Sequence, residues 1–221
     1  MSFSFEKPAG FVYTAGQHID MTLPNPPETD AEGNTRAFSL VTSPSDDRLM
    51  IATRLRDTAF KRVLRNLPPG SPIEISDPMG SFVLHKNEAK PAIFLMGGIG
   101  ITPVMSIIMD ATERKLPHKL FLFYSNRRPE DTAFLKDLQS LEQQNPNFKL
   151  IATMTEMEKS SQPWTGETGF INAALIRKYV PEGEAVYYLS GPPAMVKAMR
   201  DLLTEMKVDE DGIRTEEFAG Y

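Results

Sequence analysis

Hydrophobic and polar positions along this chain follow two rhythms, and the change-over falls near residue 88. Upstream, short β-type runs at 17–23, 37–42, 49–55 and 72–76 are separated by clusters of turn residues. The longest of these clusters is the polar, Pro-rich stretch 24–34. Closely spaced strands punctuated by Pro and Gly predict a small antiparallel barrel or sandwich. One segment breaks the pattern. Over 58–67, Phe60, Val63, Leu64 and Leu67 recur at helical spacing ahead of Pro68-Pro69-Gly70, which predicts a short amphipathic helix. Downstream, apolar runs at 92–96, 120–124, 150–155 and 186–190 alternate with helical patterns starting near Pro103, Asp131, Asn172 and Pro193. Such alternation predicts a parallel sheet with helices on both faces, and ligands of such sheets bind beyond the carboxyl ends of the strands. Two domains are expected, residues 1–88 and residues 89–221. The stretch 156–163 reads as a solvated loop.

At the first of those strand ends stands Gly97-Gly98-Ile99-Gly100-Ile101-Thr102-Pro103. Three glycines predict a tight turn, Thr102 an N-cap and Pro103 the first helical position, followed by Val104, Ile107, Ile108 and Ala111 at helical spacing. A glycine-rich turn feeding a helix N-terminus offers N–H groups and a positive dipole end to an anion. The pattern is neither G-x-G-x-x-G nor the P-loop. Taken alone it also suits a structural turn that lets a helix pack closely on its strand.

Composition narrows the chemistry. The 221 residues are 41% hydrophobic with net charge -5, which disfavours nucleic-acid binding and suits a soluble, cytoplasmic protein. No apolar run reaches the length of a membrane span, and the first residues do not read as a signal peptide. The absence of cysteine excludes thiol nucleophiles and cysteine-ligated zinc or iron–sulfur centres within this chain. His18, His85 and His118 lie far apart with no ligand spacing and read as surface or strand-edge histidines, so no metal site is expected.

Five segments then recur in order: Arg36-Ala37-Phe38-Ser39, Gly80-Ser81-Phe82, the turn at Gly97, Ser190-Gly191-Pro192-Pro193 and Glu216-Glu217-Phe218. Together they resemble the ferredoxin–NADP⁺ reductase superfamily, in its bacterial type without an iron–sulfur domain, over nearly the whole chain. The resemblance implies a Greek-key antiparallel barrel for FAD at 1–88, then an α/β nucleotide-binding domain for NAD(P)H at 89–221. On that resemblance, Arg36 pairs with the FAD pyrophosphate, Phe38 packs on the isoalloxazine, and Ser39 hydrogen-bonds near flavin N5. Ala37 lies in the same motif. Thr53 and Arg54 run along the flavin and its phosphates, and the helix start at Ala59 and Phe60 offers N–H groups to the diphosphate. Gly80, Ser81 and Phe82 form the short motif near the flavin.

In the second domain, Gly97, Gly98 and Gly100 receive the nicotinamide nucleotide's pyrophosphate. Thr102, with Pro103 beside it, lies near the flavin–nicotinamide junction. Ser190, Gly191 and Pro192 stand for the family's C-G-P motif under the nicotinamide, with Ser in place of Cys. Glu216 positions nicotinamide or relays protons, and Phe218 covers the flavin, with Tyr221 as rival for that role. After the strand at 120–124, Ser125 and Arg127 could bind a 2′-phosphate with no acidic neighbour in sequence, which tilts the expectation to NADPH.

The resemblance implies an NAD(P)H-dependent flavoprotein reductase, with Ser39, Ser190, Glu216 and Phe218 at the reacting centre. Electrons would pass from FAD to a separate acceptor such as ferredoxin or an oxygenase component. A free-flavin reductase and a non-catalytic electron-transfer subunit remain as alternatives. The family has one more strand ahead of the segment 2–8, so either the barrel lacks it and exposes an edge there, or the sequence is cut short of it.

Overall fold

The computed structural model describes residues 1–217. Its N-terminal part carries strands β1 (Ser2–Glu6), β2 (His18–Thr22), β3 (Thr35–Ser39), β4 (Arg48–Ala52) and β5 (Glu74–Ile75), with helix α1 (Ala59–Asn66) between the last two strands. β1 pairs antiparallel with β4, and β2 lies antiparallel between β3 and β5. A bridge between Leu40 and Ile51 ties the two sheets. In β2 only Ile19 and Met21 are buried, the period-two pattern of a strand with one wet face. They join Leu23, Leu40, Leu49 and Ile51 in a dry centre, onto which α1 packs Phe60, Val63 and Leu64. Thr58 caps α1 by accepting the Lys61 N–H at 3.4 Å, and the helix stops at Asn66, just ahead of Pro68.

The C-terminal part is a six-stranded parallel sheet in the order β11-β10-β6-β7-β8-β9. Its strands are β6 (Ala92–Gly97), β7 (Leu120–Asn126), β8 (Phe148–Met154), β9 (Glu167–Thr168), β10 (Val186–Gly191) and β11 (Ile213–Glu217). The helices are α2 (Thr102–Glu113), α3 (Leu135–Gln144), α4 (Ala173–Tyr179) and α5 (Pro193–Glu205). Every residue of β6 is buried, as a central parallel strand covered on both faces requires. From β6 the chain steps outward to β9, then returns to β10 on the other side. The strand order therefore reverses between β6 and β10, and the crevice at that reversal is where open α/β sheets hold ligands. Antiparallel sheets followed by a parallel sheet with helices is the expected fold class.

Three expectations are corrected. Thr102 is no N-cap: its backbone is already helical, and its Oγ1 donates to the Ile99 carbonyl at 3.1 Å, because a 3-10 turn at Gly98–Ile101 leads into α2. The helix expected from Asp131 starts at Leu135, since Pro129–Asp131 forms a separate 3-10 turn and Phe134 takes a left-handed φ of 57°. His85 and His118 are not surface residues. They are buried edge to face at 5.2 Å, and His85 Nδ1 lies 3.1 Å from the Tyr188 hydroxyl. Among the described residues no group of three metal-ligating side chains occurs, and no helix is long and apolar enough to cross a membrane.

Candidate functional site

The glycines at the sheet's reversal point are there for close approach. A Cβ on Gly100 would stand 2.6 Å from Gly191 N and 2.7 Å from its Cα, so the turns after β6 and β10 touch through bare backbone. Gly98 has φ +53°, and a Cβ there would lie 3.4 Å from the Arg54 guanidinium of the barrel. Gly97 backs onto Met195 and Pro192 of the α5 start. The packing meaning of the motif thus holds: the glycines let the two turns touch, and they bring the turn against the other half of the molecule.

Where the halves meet lies a cavity of about 520 Å³. Arg36, Ala37, Phe38 and Ser39 of β3 line it, with Thr53, Arg54 and Arg56 after β4, Thr58 and Lys61 of α1, and Ile99 and Thr102 from the glycine turn. Four cations (Arg36, Arg54, Arg56 and Lys61) face a single lining carboxylate, Glu32. Burial, with Arg56 and Arg36 nearby, pulls the Lys61 ammonium below its ordinary pKa, the mark of a positive enclosure. Arg36 lies over the Phe60 ring at 5.3 Å, and Phe60 in turn meets Phe38 at 5.8 Å. The guanidinium is held by Asp30 and Glu32, each at 3.0 Å, and the Ala59 N–H donates to the other Asp30 oxygen at 3.2 Å.

From Ser39 the wall continues as a polar column across both halves. Ser39 pairs with His18 in the β2–β3 ladder, so their side chains share a face. His18 Nδ1 lies 3.5 Å from Glu216 Oε1 on β11, and Glu216 pairs with Ser190 on β10. Ser39 Oγ, His18 Nδ1, Glu216 Oε2 and Ser190 Oγ are all buried with no hydrogen-bond partner. Buried polar atoms are nearly always bonded, so four orphans in one column leave hydrogen-bonding capacity that a polar ligand could take up. Burial raises the Glu216 carboxyl to about 7. Gly80 is confined by His18: a Cβ would meet the imidazole at 2.8 Å.

Other expected residues fall elsewhere. Phe82 is a core residue, edge-on to Tyr188 at 5.4 Å, because the segment after Gly80 turns into the shared core. Ser81 is exposed beside it, and Pro103 is buried within α2. Ser125 and Pro192 border a second cavity of about 690 Å³ with Phe170, Asn172 and Met195. Arg127 does have an acidic neighbour. Glu156, just beyond β8, lies 3.6 Å from it and also holds Lys159 at 2.9 Å. Phe218 and Tyr221 lie outside the described residues. Sequence reasoning missed His18, Arg56 and Asp30, and it reached Lys61 only as part of the helix start at 58–61.

Residues 94–201 match the family model of the oxidoreductase NAD-binding domain. That match covers the glycine turn and the Ser190 segment, and it is joined to an antiparallel barrel. That segment is similar to the oxidoreductase NAD-binding domain family. The chain is 32% identical over 210 residues to the phenol hydroxylase P5 protein of Acinetobacter pittii, covering 93% of this chain and 58% of that protein. It is 28% identical to the glycine betaine monooxygenase reductase subunit of Chromohalobacter salexigens, covering 98% of this chain and 59% of that one. The chain thus spans less than two thirds of these relatives. In structure it resembles the FAD/NAD-binding domain of nitric oxide dioxygenase from Vibrio cholerae, with a TM-score of 0.83 at 18% identity, covering 99% of this chain and 92% of that one. It also resembles a ferredoxin NADP⁺ reductase from Neisseria gonorrhoeae, with a TM-score of 0.77 at 20% identity, covering 98% and 91%.

Proposed function

We propose that this chain is an NAD(P)H-dependent flavoprotein reductase, with FAD held by residues 1–88 and the nicotinamide nucleotide by residues 89–221. The single observation that carries the reading is the cavity at the meeting of the two halves, where four cations converge and the polar column with its orphan atoms begins. Arg36, Arg54, Lys61 and the Ala59 N–H suit a diphosphate, since fixed cations and a helix N-terminus both stabilise phosphate oxygens. Phe38 offers an apolar wall, and Ser39 Oγ a free donor beside it. Gly97, Gly98, Gly100, Thr102, Ser190, Gly191 and Pro192 sit around the sheet's reversal point, the place for the second nucleotide.

When bound, the flavin supplies hydride acceptance from nicotinamide and the onward passage of electrons. What the chain's own residues add is placement and one proton. Ser39 and Ser190 are one ladder neighbour away from His18 and Glu216 respectively, and each holds its hydroxyl unspent. With its carboxyl raised by burial to about 7, Glu216 can take up and release a proton near neutral pH. His18 Nδ1, 3.5 Å from Oε1, is the adjacent group through which that proton can leave. One named relative is a monooxygenase reductase subunit and the other a phenol hydroxylase protein, which favours an oxygenase partner as acceptor. Glu156 beside Arg127 would repel a 2′-phosphate and accept from a 2′-hydroxyl, favouring NADH.

The test is the visible spectrum of the FAD-reconstituted protein under anaerobic conditions, before and after each nucleotide. Bleaching of the flavin band is expected, faster with NADH. A bound flavin that neither nucleotide bleaches would overturn the reductase reading.

A further inference from the structure

Beside the cation pocket, and bonded to its Arg36, stands an anion that does not itself line the cavity. Asp30, from the Pro-rich loop 24–34, uses Oδ1 to accept from Arg36 Nη2 at 3.0 Å and from the Glu32 N–H at 3.0 Å. Its Oδ2 accepts from the Ala59 N–H, the first of α1, at 3.2 Å. One carboxylate therefore spans the guanidinium and the helix N-terminus, the two donors best suited to a phosphate. Glu32 adds a second anion on Arg36 at 3.0 Å, and Arg36 Nη1 donates to the carbonyls of Glu32, Gly33 and Thr35. All these partners lie within one short loop and its following strand. The arrangement is accordingly a strap that brings its own charge to Arg36.

From this geometry we infer that Asp30 is an internal competitor for the flavin diphosphate, and so a determinant of how tightly the chain retains FAD. The inference rests on the proposed flavoprotein reading and adds to it a residue that limits affinity. For a diphosphate to reach Arg36 and the Ala59 N–H, the Asp30 carboxylate must leave both, and the loop must release the guanidinium. Asp30 and Arg36 keep 33% and 20% of their side chains exposed, so this exchange is open to a ligand arriving from solvent. An ionised carboxylate adds ion pairing with Arg36 that a neutral amide lacks, so neutralising Asp30 weakens the competition while keeping the shape. A chain with this device holds FAD as an exchangeable ligand, which also brings the free-flavin reductase alternative within reach of the same fold.

The test titrates the flavin-free protein with FAD and, separately, with riboflavin, reading flavin fluorescence. Riboflavin carries the same ring without phosphates. Asp30→Asn is expected to lower the Kd for FAD about five- to tenfold and to leave riboflavin unchanged. Glu32→Gln, which frees only Arg36, is expected to tighten FAD by a smaller factor, and it carries the test if Asp30→Asn does not fold. FAD binding that is equal or weaker in the folded variants overturns the inference and leaves the flavoprotein reading standing. Equal tightening of riboflavin overturns it too, since the gain would then not come from the phosphates. Failure of all three proteins to bind FAD overturns both readings together.

Discussion

At the scale of single residues, Glu216 has the clearest measurable consequence. Its carboxyl ionises near 4.5 in an unfolded chain and near 7 in the folded one. Between those values the folded state holds the extra proton, so stability falls as pH rises from about 4.5 to about 7 and levels off above. The swing amounts to about 3 kcal/mol for the whole shift. Glu216→Gln is expected to flatten the curve over that range, as urea unfolding of the flavin-free protein at a series of pH values would reveal. Parallel curves for the two proteins would refute the raised carboxyl. The sequence pointed to Glu216 through its resemblance, but not to His18 beside it. The two are 198 positions apart, and nothing in local patterning says that β2 of the barrel and the last strand of the sheet run past each other. Asp30 was illegible for a similar reason: in a loop of Pro and acidic residues, no periodicity distinguishes a solvated carboxylate from one that has seized an arginine.

For the elements, legibility was much better, because strand and helix follow from nearest neighbours. Ala92 to Met96 is an unbroken apolar run and became the fully buried central strand. Thr58 and Pro68 bracketed α1 correctly, since capping and proline geometry act within a few residues. Errors arose where side chains rather than patterns set the ends, as at Thr102 and at the Arg128–Asp131 pair, whose 2.7 Å contact stabilises a separate turn. The contact between the β6 and β10 turns supplies a prediction at this scale. Gly100→Ala would press a methyl into the backbone of Gly191 and Ser190, which cannot yield as a flexible side chain would. A loss of about 1–3 kcal/mol is expected. Gly212→Ala, whose Cβ would meet only the Ala185 carbonyl at 3.4 Å, should be nearly neutral in the same thermal melts. If the two substitutions cost the same, the close approach is not what Gly100 is for.

For the whole molecule, the sequence suggested two halves, and the structure joins them more closely than that division implies. Ala15, Val41, Ala52 and Phe82 sit in the same apolar cluster as Phe94, Val104, Ile108 and Tyr188. The Tyr188 hydroxyl accepts from the His85 N–H at 2.9 Å and donates to the Val83 carbonyl at 3.1 Å, pinning the connecting segment to the sheet. One calorimetric unfolding transition is therefore expected instead of two. Tyr188→Phe would leave the buried His85 N–H unbonded and should cost about 1–3 kcal/mol while keeping that transition single. Two separated transitions in the unaltered protein would show that the shared core does not couple the halves.

The approach of Gly98 to Arg54 has a consequence for how such a chain can vary. At 98 a side chain is strained by the φ of +53°, and while a Cβ would only touch the Arg54 guanidinium at 3.4 Å, anything larger would need that guanidinium to move. Variation at these two positions should therefore travel in pairs. A hybrid that spliced this barrel to the nucleotide-binding half of a distant relative at residue 88 would inherit a mismatch at this seam, even with both halves correctly folded.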